Sequence, residues 1–478
     1  MSLNVIILAA GAGTRMRSAL PKVLHRVGAK PMLEHVIETA RQLNAARIQV
    51  VYGHSGTTVR TALAHVDVKW IEQEQQLGTG HAVAVALGVA PLGTLSSPER
   101  AQMLPQGVGH DTVLVLYGDV PLISVNTLRR VIAAGQDNSL GLLTVILDDP
   151  RGYGRILRDV QGNVERIVEE KDATTEQRQV QEINTGILAA SGEKLEKWLA
   201  ILNNNNAQGE YYLTDIIAMA VRDGVKVIPV EPESVMGTLG VNNRVQLAEA
   251  ERYYQLIQVE KLMLQGVTLR DPARFDVRGE VSVGTDITID VNVILEGKVS
   301  LGNDVRIGAN TVIRNATIGD DVEILENCVI EDAVIGKHSR IGPFARLRPE
   351  THLADHVHIG NFVEIKKTSV GQGSKINHLS YVGDATIGGN VNIGAGTITC
   401  NYDGANKFQT VIGDNVFVGS DSQLVAPVTI GEGATIGAGS TITRNVPPGE
   451  LTLSRVPQQT KAGWKRPVKK KDSSSSTG

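Results

Sequence analysis

The chain has 478 residues, with 47 Lys and Arg against 51 Asp and Glu and a formal net charge of −4 at pH 7. That length predicts about three structural units, and so balanced a charge excludes a protein whose whole surface tracks nucleic acid. The only two cysteines, Cys328 and Cys400, exclude an intrachain disulfide framework and a four-cysteine metal site.

The opening MSLNVIILAAGAG is apolar but has no basic n-region, and glycines break it early. It reads as a buried strand entering a loop and not as a signal peptide. No run of 18 apolar residues follows anywhere, so no transmembrane helix is expected and the chain reads as soluble and cytoplasmic. Over residues 1–245 short apolar runs alternate with helical stretches. Strands are predicted at 5–8, 48–51, 113–116, 142–147 and 225–230, with helices at 32–43 and in the Ala-rich stretch after Gly80. This alternation predicts an α/β domain with a mixed, mostly parallel sheet, whose ligands sit outside the carboxyl ends of the strands. Residues 246–265 then read as one linker helix, free of internal Gly or Pro and closed by Gly266.

From 266 onward the sequence changes character. Aliphatic residues recur every six positions from Val283 through Ile289, Leu295, Leu301, Ile307 and Ile313. Occasional steps of five carry the register on through Ile341, Leu347, Ile365, Ile376 and Ile393, and strict sixes return from Ile412 to Ile442. Six residues make one short strand and a tight turn, and three such units close a triangular coil of eighteen with the aliphatic residue inward. Gly often follows that residue, as at Gly308 and Gly342, and is expected to tolerate the turn's special backbone angles. A core of stacked Ile, Val and Leu also explains 50 Gly beside only 5 Phe, 3 Trp and 9 Tyr. Residues 397–410 interrupt the period with Asn401 and Tyr402, and a loop ejected from a regular solenoid points to function. From Pro447 the pattern stops, and the basic, Ser-rich tail from Lys469 reads as disordered.

Two constellations carry chemistry. In the first, Leu8-Ala9-Ala10-Gly11-Ala12-Gly13-Thr14-Arg15 is followed by Pro21-Lys22, a small-residue loop that can curl N–H groups around an anion beside two cations. The spacing fits neither the dinucleotide fingerprint, which wants Gly at Met16, nor the P-loop. Asp119, after Tyr117-Gly118 at the end of a buried strand, suits Mg2+ bound with substrate phosphates, or else caps the next helix. In the second, Arg348 and Lys366 lie eighteen residues apart and each follows an inward aliphatic residue, so they stack, while His378 belongs to a neighbouring face. Stacked cations near a base suit a phosphorylated amine. A zinc reading fails on spacing: His352 and His358 fall on different faces, and the stackable His338 and His356 are only two ligands.

The loop motif resembles the signature of sugar-1-phosphate nucleotidyltransferases. Joined to the hexapeptide solenoid and to GYGR at 152–155, EINTG at 182–186 and GVNNR at 240–244, the chain resembles the bacterial bifunctional N-acetylglucosamine-1-phosphate uridyltransferase / glucosamine-1-phosphate acetyltransferase family. The resemblance implies a left-handed parallel β-helix over 266–478 and a homotrimer with acetyl sites between neighbouring solenoids. It implies that Leu8, Ala9, Ala10, Gly11, Gln73, Gly78 and Thr79 hold the uridine end of UTP, with Tyr117 and Gly118 beside them. Lys22 and Arg15 would act on phosphate, Gly154, Glu169 and Asn184 would hold the acetylated sugar, and Asp119 with Asn242 would bind Mg2+. On the solenoid His378 would be the general base. Arg348, Lys366, Tyr381 and Asn392 would bind glucosamine 1-phosphate, and Ala395, Asn401, Tyr402, Ser420, Ala438 and Arg455 would line acetyl-CoA. The partners implied are these small molecules and N-acetylglucosamine 1-phosphate, with neither nucleic acid nor membrane. Two other readings stand beside it: a single-activity nucleotidyltransferase with a structural or regulatory solenoid, which the His378 constellation disfavours, and a non-catalytic interaction protein, which intact Arg15, Lys22 and Asp119 disfavour.

Overall fold

A computed structural model describes residues 2–53, 56–89 and 111–468. The chain divides into two compact units, Met1–Lys261 with Val277–Gly279, and Leu262–Asp276 with Glu280–Gly478.

The first unit is built on a nine-stranded sheet. Its centre is Leu3–Ala9, parallel to Arg47–Tyr52 on one side and to Thr112–Tyr117 on the other. Helices cover both faces: Met32–Arg41 and Val125–Ala134 each bury one apolar stripe, whereas Thr79–Leu87 is buried nearly all round. Leu33, Val36 and Ile37 of Met32–Arg41 pack with Leu128 and Val131 of Val125–Ala134, while Val83 of Thr79–Leu87 packs with Leu195 and Ile216 on the opposite side. Every strand and helix predicted over this region is present, with ends displaced by a few residues at most. Four strands of the sheet were not predicted: Lys69–Glu72, Arg155–Arg158, Val164–Val168 and Glu182–Ser191. Glu182–Ser191 runs antiparallel between Thr112–Tyr117 and Ser139–Ile146. A register shift between Asn184 and Leu188, with Gly186 at φ +87°, breaks its alternation and hides it from a periodicity reading. The helix expected at 246–265 runs Arg244–Leu264.

The second unit is a left-handed parallel β-helix. One face is an 11-stranded parallel sheet. The other two faces merge into a 15-stranded sheet, because strands such as Glu364–Val370 and Tyr381–Ile387 run unbroken around a corner. The aliphatic ladder faces inward: Ile289, Ile307, Ile341, Ile376 and Ile436 are each at most 2 % exposed and stack in register.

Three expectations need correction. The glycine after the inward residue takes a positive φ at Gly342, +95°, as expected, but at Gly308 it is required by close approach and not by backbone angle: a Cβ there would lie 2.7 Å from the Glu326 nitrogen. Further positive angles come two residues later and are held by Asn310, Asn327, His338 and others. The interruption is shorter than 397–410, because Ile398–Cys400 is a strand with Thr399 inward, its hydroxyl bonded to the Gly383 nitrogen at 2.8 Å. Only the side-chain type, not the coil, departs from the pattern there. Finally, the solenoid continues past Pro447, since Leu451–Thr452 pairs with Thr435–Ile436. The Lys469–Gly478 tail lies outside the described residues.

Candidate functional sites

The strand Leu3–Ala9 delivers the small-residue loop to the carboxyl edge of the sheet. Gly13 stands at φ +63°, and a Cβ on it would meet the Lys22 Cβ at 2.6 Å, so glycine is what lets Lys22 reach across the loop. Its ammonium pairs with Asp119 and donates to the Asn242 Oδ1 at 3.2 Å, and Arg15 donates to that same oxygen at 3.0 Å. The Val241 nitrogen bonds the Asp119 carbonyl at 2.8 Å, fixing the 240–242 turn against the strand end. Asp119 does not cap the next helix, because Ser124 does so by accepting from the Thr127 nitrogen.

A cavity of about 410 Å³ opens here, lined by Leu8, Ala9, Ala10, Gly11, Lys22, Gln73, Gly78, Thr79, Tyr117 and Asp119. Gly118, between the lining residues Tyr117 and Asp119, is held in place by its nitrogen, which bonds the Leu8 carbonyl at 2.9 Å. The three residues expected at the sugar form one group behind Tyr117. The Asn184 nitrogen bonds the Gly154 carbonyl at 2.9 Å, and a Cβ on Gly154 would stand 3.4 Å from a Glu169 oxygen. Thr214 donates to Glu169 at 2.9 Å. Burial holds the Glu169 carboxyl above the ordinary carboxylate range, with Asp215, Asp172 and Glu210 adding to the effect. Burial, Glu169 and Asp119 likewise push the Tyr117 hydroxyl well above its usual value.

Among the described residues no group of three His, Cys, Asp or Glu side chains forms a metal site. The carboxylate of Asp119 and the amide oxygen of Asn242 nevertheless converge on one cation, the Lys22 ammonium. Two hard oxygen donors beside a cavity open to phosphates fit Mg2+, which keeps its other positions for water and substrate.

On the solenoid the predicted residues fall at the two edges of one face. At the first edge Asn361, His378, Ala395, Ser420 and Ala438 each stand two residues past an inward aliphatic residue and stack coil on coil. The following nitrogen of each coil bonds the carbonyl below: Leu379 to Asn361, Gly396 to His378, Asp421 to Ala395 and Gly439 to Ser420, at 2.7–3.3 Å. Arg455 reaches back to the Ala438 carbonyl at 3.0 Å. Asn392 lies on the coil of Ala395, in register with Lys375 and Phe417. Asn361 shares a 2.8 Å hydrogen bond with the His378 Nδ1. With the amide oxygen accepting from Nδ1–H, the exposed imidazole carries its lone pair on Nε2.

At the second edge Arg348 stacks below Lys366, as expected, with Glu364 bonded to Arg348 at 2.8 Å and Tyr381 above Glu364. The 401–409 loop folds back against this edge. Asn401 donates to the buried Asp384 at 2.6 Å and approaches the Tyr381 hydroxyl at 3.4 Å, in space left by Gly383, where a Cβ would meet that hydroxyl at 2.4 Å. Tyr402 points elsewhere, donating to Gly404 within the loop at 2.5 Å. Lys407 arrives beside Lys366. The ammonium of Lys407 holds the Lys366 side chain below the usual lysine range, and Arg348 adds to this.

Sequence reading missed Asn361, Asp384 and Lys407. Asn361 was legible, since it shares the offset of His378 from the inward ladder. Lys407 was not, because an ejected loop has no period from which its return can be read.

Comparison with known proteins places residues 5–161 in the MobA-like NTP transferase domain, 277–363 in the GMPPB C-terminal domain and 409–444 in six bacterial transferase hexapeptide repeats. Among solved structures, a nucleotidyl transferase from Methanothermobacter thermautotroptrophicus is 18 % identical with a TM-score of 0.36, over 53 % of this chain and 97 % of that one. A Bacillus anthracis protein named as a glucose-1-phosphate thymidylyltransferase, solved with sucrose, is 20 % identical with a TM-score of 0.39, over 52 % of this chain and 94 % of its own. The chain therefore carries a nucleotidyltransferase domain followed by transferase-type hexapeptide repeats.

Proposed function

We propose that the chain is a bifunctional enzyme that acetylates glucosamine 1-phosphate from acetyl-CoA and then transfers uridylate from UTP to the product. The yield is UDP-N-acetylglucosamine for cell-wall peptidoglycan and lipopolysaccharide synthesis. The observation that carries it is the face of the solenoid with the His378 imidazole at one edge and an excess of cations at the other. Arg348, Lys366, Lys367 and Lys407 gather there beside Glu364, Asp384 and Glu350, an excess of one positive charge. A solenoid that served only as scaffold has no use for clustered like charges.

At this face the cations hold the sugar phosphate, and the 2-amine lies towards His378. His378 Nε2 takes a proton from the amine as its nitrogen attacks the thioester carbonyl carbon. Asn361 fixes the imidazole for that task. The tetrahedral intermediate then collapses with cleavage of the C–S bond, and coenzyme A leaves as the thiol. Ala395, Ser420, Ala438 and Arg455 mark the track of acetyl-CoA along the same edge, with N–H and O–H donors of the Ser420 coil available to the oxyanion.

At the sheet edge a phosphate oxygen of the sugar attacks the α-phosphorus of UTP, the bond to the β-phosphate oxygen breaks and pyrophosphate departs. Lys22 and Arg15 align the phosphates and offset the charge that develops. Asp119 and Asn242 hold Mg2+, which when bound supplies charge neutralisation on the phosphate oxygens. Gly154, Glu169 and Asn184 hold the acetylated sugar.

The chain is read as a homotrimer. Phe344, Phe362 and Leu379 project from successive coils at the His378 edge, 48, 54 and 62 % exposed, and form an apolar ridge suited to a second copy. We assign it to the cytoplasm, where UTP and acetyl-CoA are made. Thiol release from acetyl-CoA with glucosamine 1-phosphate, and pyrophosphate release from UTP and Mg2+ with N-acetylglucosamine 1-phosphate, test the two halves. Pyrophosphate release without thiol release reduces the protein to a single-activity nucleotidyltransferase, and neither release refutes the proposal.

A further inference from the structure

Gln73 lines the cavity of the first unit but is itself only 3 % exposed, so its amide has little freedom. Its Nε2 has two neighbours: the Gly78 carbonyl at 3.1 Å and the Nδ1 of His81 at 3.0 Å. A carbonyl can only accept, so Nε2 is the donor there. Whether the second contact also holds the amide depends on the tautomer of His81.

That tautomer is set by the surroundings. His81 sits in the first turn of Thr79–Leu87, 8 % exposed, with its ring 6.4 Å from that of Tyr211. Burial lowers its pKa, so the ring is neutral near pH 7. The Gln75 backbone also hydrogen-bonds the ring; with Nδ1 taken up by the Gln73 amide at 3.0 Å, that bond falls to Nε2 and takes the ring's one N–H, which leaves Nδ1 as an acceptor. Both hydrogens of the Gln73 amide are then committed, one to Gly78 and one to His81. Rotating the amide by half a turn would set its oxygen against two acceptors at once. With both hydrogens committed, the carbonyl oxygen is the polar atom the amide has left to offer the cavity.

We infer that His81 is a positioning residue for base selection, locking the Gln73 amide so that the cavity accepts a pyrimidine carrying an N–H at ring position 3 and rejects one carrying a lone pair there. Uracil has that N–H between two carbonyls, whereas cytosine has a bare nitrogen. A buried acceptor left facing a second acceptor is what makes such a site discriminate. The inference rests on the nucleotidyl-transfer reading above and adds to it the residue that sets the base.

The test is equilibrium binding of UTP and of CTP to the full chain with Mg2+, by calorimetry, in the wild type, H81L and H81N. Leu removes the acceptor while filling the space; Asn returns an oxygen near the position of Nδ1. The wild type is expected to prefer UTP. In H81L that preference is expected to fall by about five- to tenfold, the factor one hydrogen bond supplies, mainly through stronger CTP binding. H81N is expected to restore it. An unchanged UTP/CTP ratio in H81L, or equal weakening of both nucleotides, overturns the inference and leaves the transferase reading intact. Should H81L not fold, loss of the preference in H81N overturns it equally. Failure of the wild type to bind either nucleotide refutes the transferase reading and the inference with it.

Discussion

Lys407→Ala separates a substrate-binding role from a structural one, because only the structural role predicts a marked fall in stability. The loop has anchors besides the Lys407 side chain: Asn401 donates to Asp384 at 2.6 Å, and the Phe408 nitrogen bonds the Asn401 carbonyl at 2.9 Å. Lys407 repels Lys366, which lowers the Lys366 pKa, while Lys366 and the Asp384 carboxylate hold the Lys407 ammonium above the usual lysine range. A lysine whose folded pKa is lowered binds fewer protons folded than unfolded between that value and the ordinary lysine value. Wild-type stability therefore rises with pH across that window, and K407A should lack the rise. At neutral pH the variant should melt close to the wild-type temperature, since the repulsion from Lys366 and the attraction of Asp384 are removed together. Against glucosamine 1-phosphate the loss is that of one charge-assisted contact to phosphate, raising KM roughly ten- to a hundredfold with kcat much less affected. The assays are thermal melts from neutral to alkaline pH and initial rates of thiol release over a range of the sugar phosphate. A KM within twofold of wild type, or a fall of several degrees in melting temperature, refutes the assignment of this edge to phosphate.

Asp119→Ala should abolish pyrophosphate release while thiol release continues, and retained uridyl transfer removes Asp119 from the site. His378→Ala should do the reverse, and Asn361→Leu should lower kcat of acetyl transfer with little change in either KM, since Asn361 touches the base and not the substrates; both are read by thiol release. Gly308→Ala drives a Cβ to 2.7 Å from the Glu326 nitrogen and should destabilise the solenoid by about 1–3 kcal/mol, read as a lower denaturant midpoint. Glu169→Gln removes a carboxyl held above the ordinary range by burial. Such a group makes wild-type stability fall as pH rises from the ordinary carboxylate value through the elevated one, and the variant should lose that slope in melts across mildly acidic pH.

The sequence alone determined the fold class, because both periods it contains are set by burial. A stacked coil must place an aliphatic residue inward on every short strand, so the six-residue ladder is written directly in the chain, and alternating apolar runs likewise declare a sheet covered on both faces. It also determined which residue types stand at Lys22, Asp119, Arg348 and His378, since local motifs carry them. Tertiary structure decided what those residues face. Asn242 meets Lys22 across 220 positions, Glu182–Ser191 enters the sheet against its direction, and Lys407 returns to Lys366 on a loop without a period. The orientation of the Gln73 amide is of the same kind: no local pattern records it, because it depends on which way a buried ring at 81 turns its lone pair. Periodicity encodes what is inside; the direction of a polar group is settled only by the partners that folding brings to it.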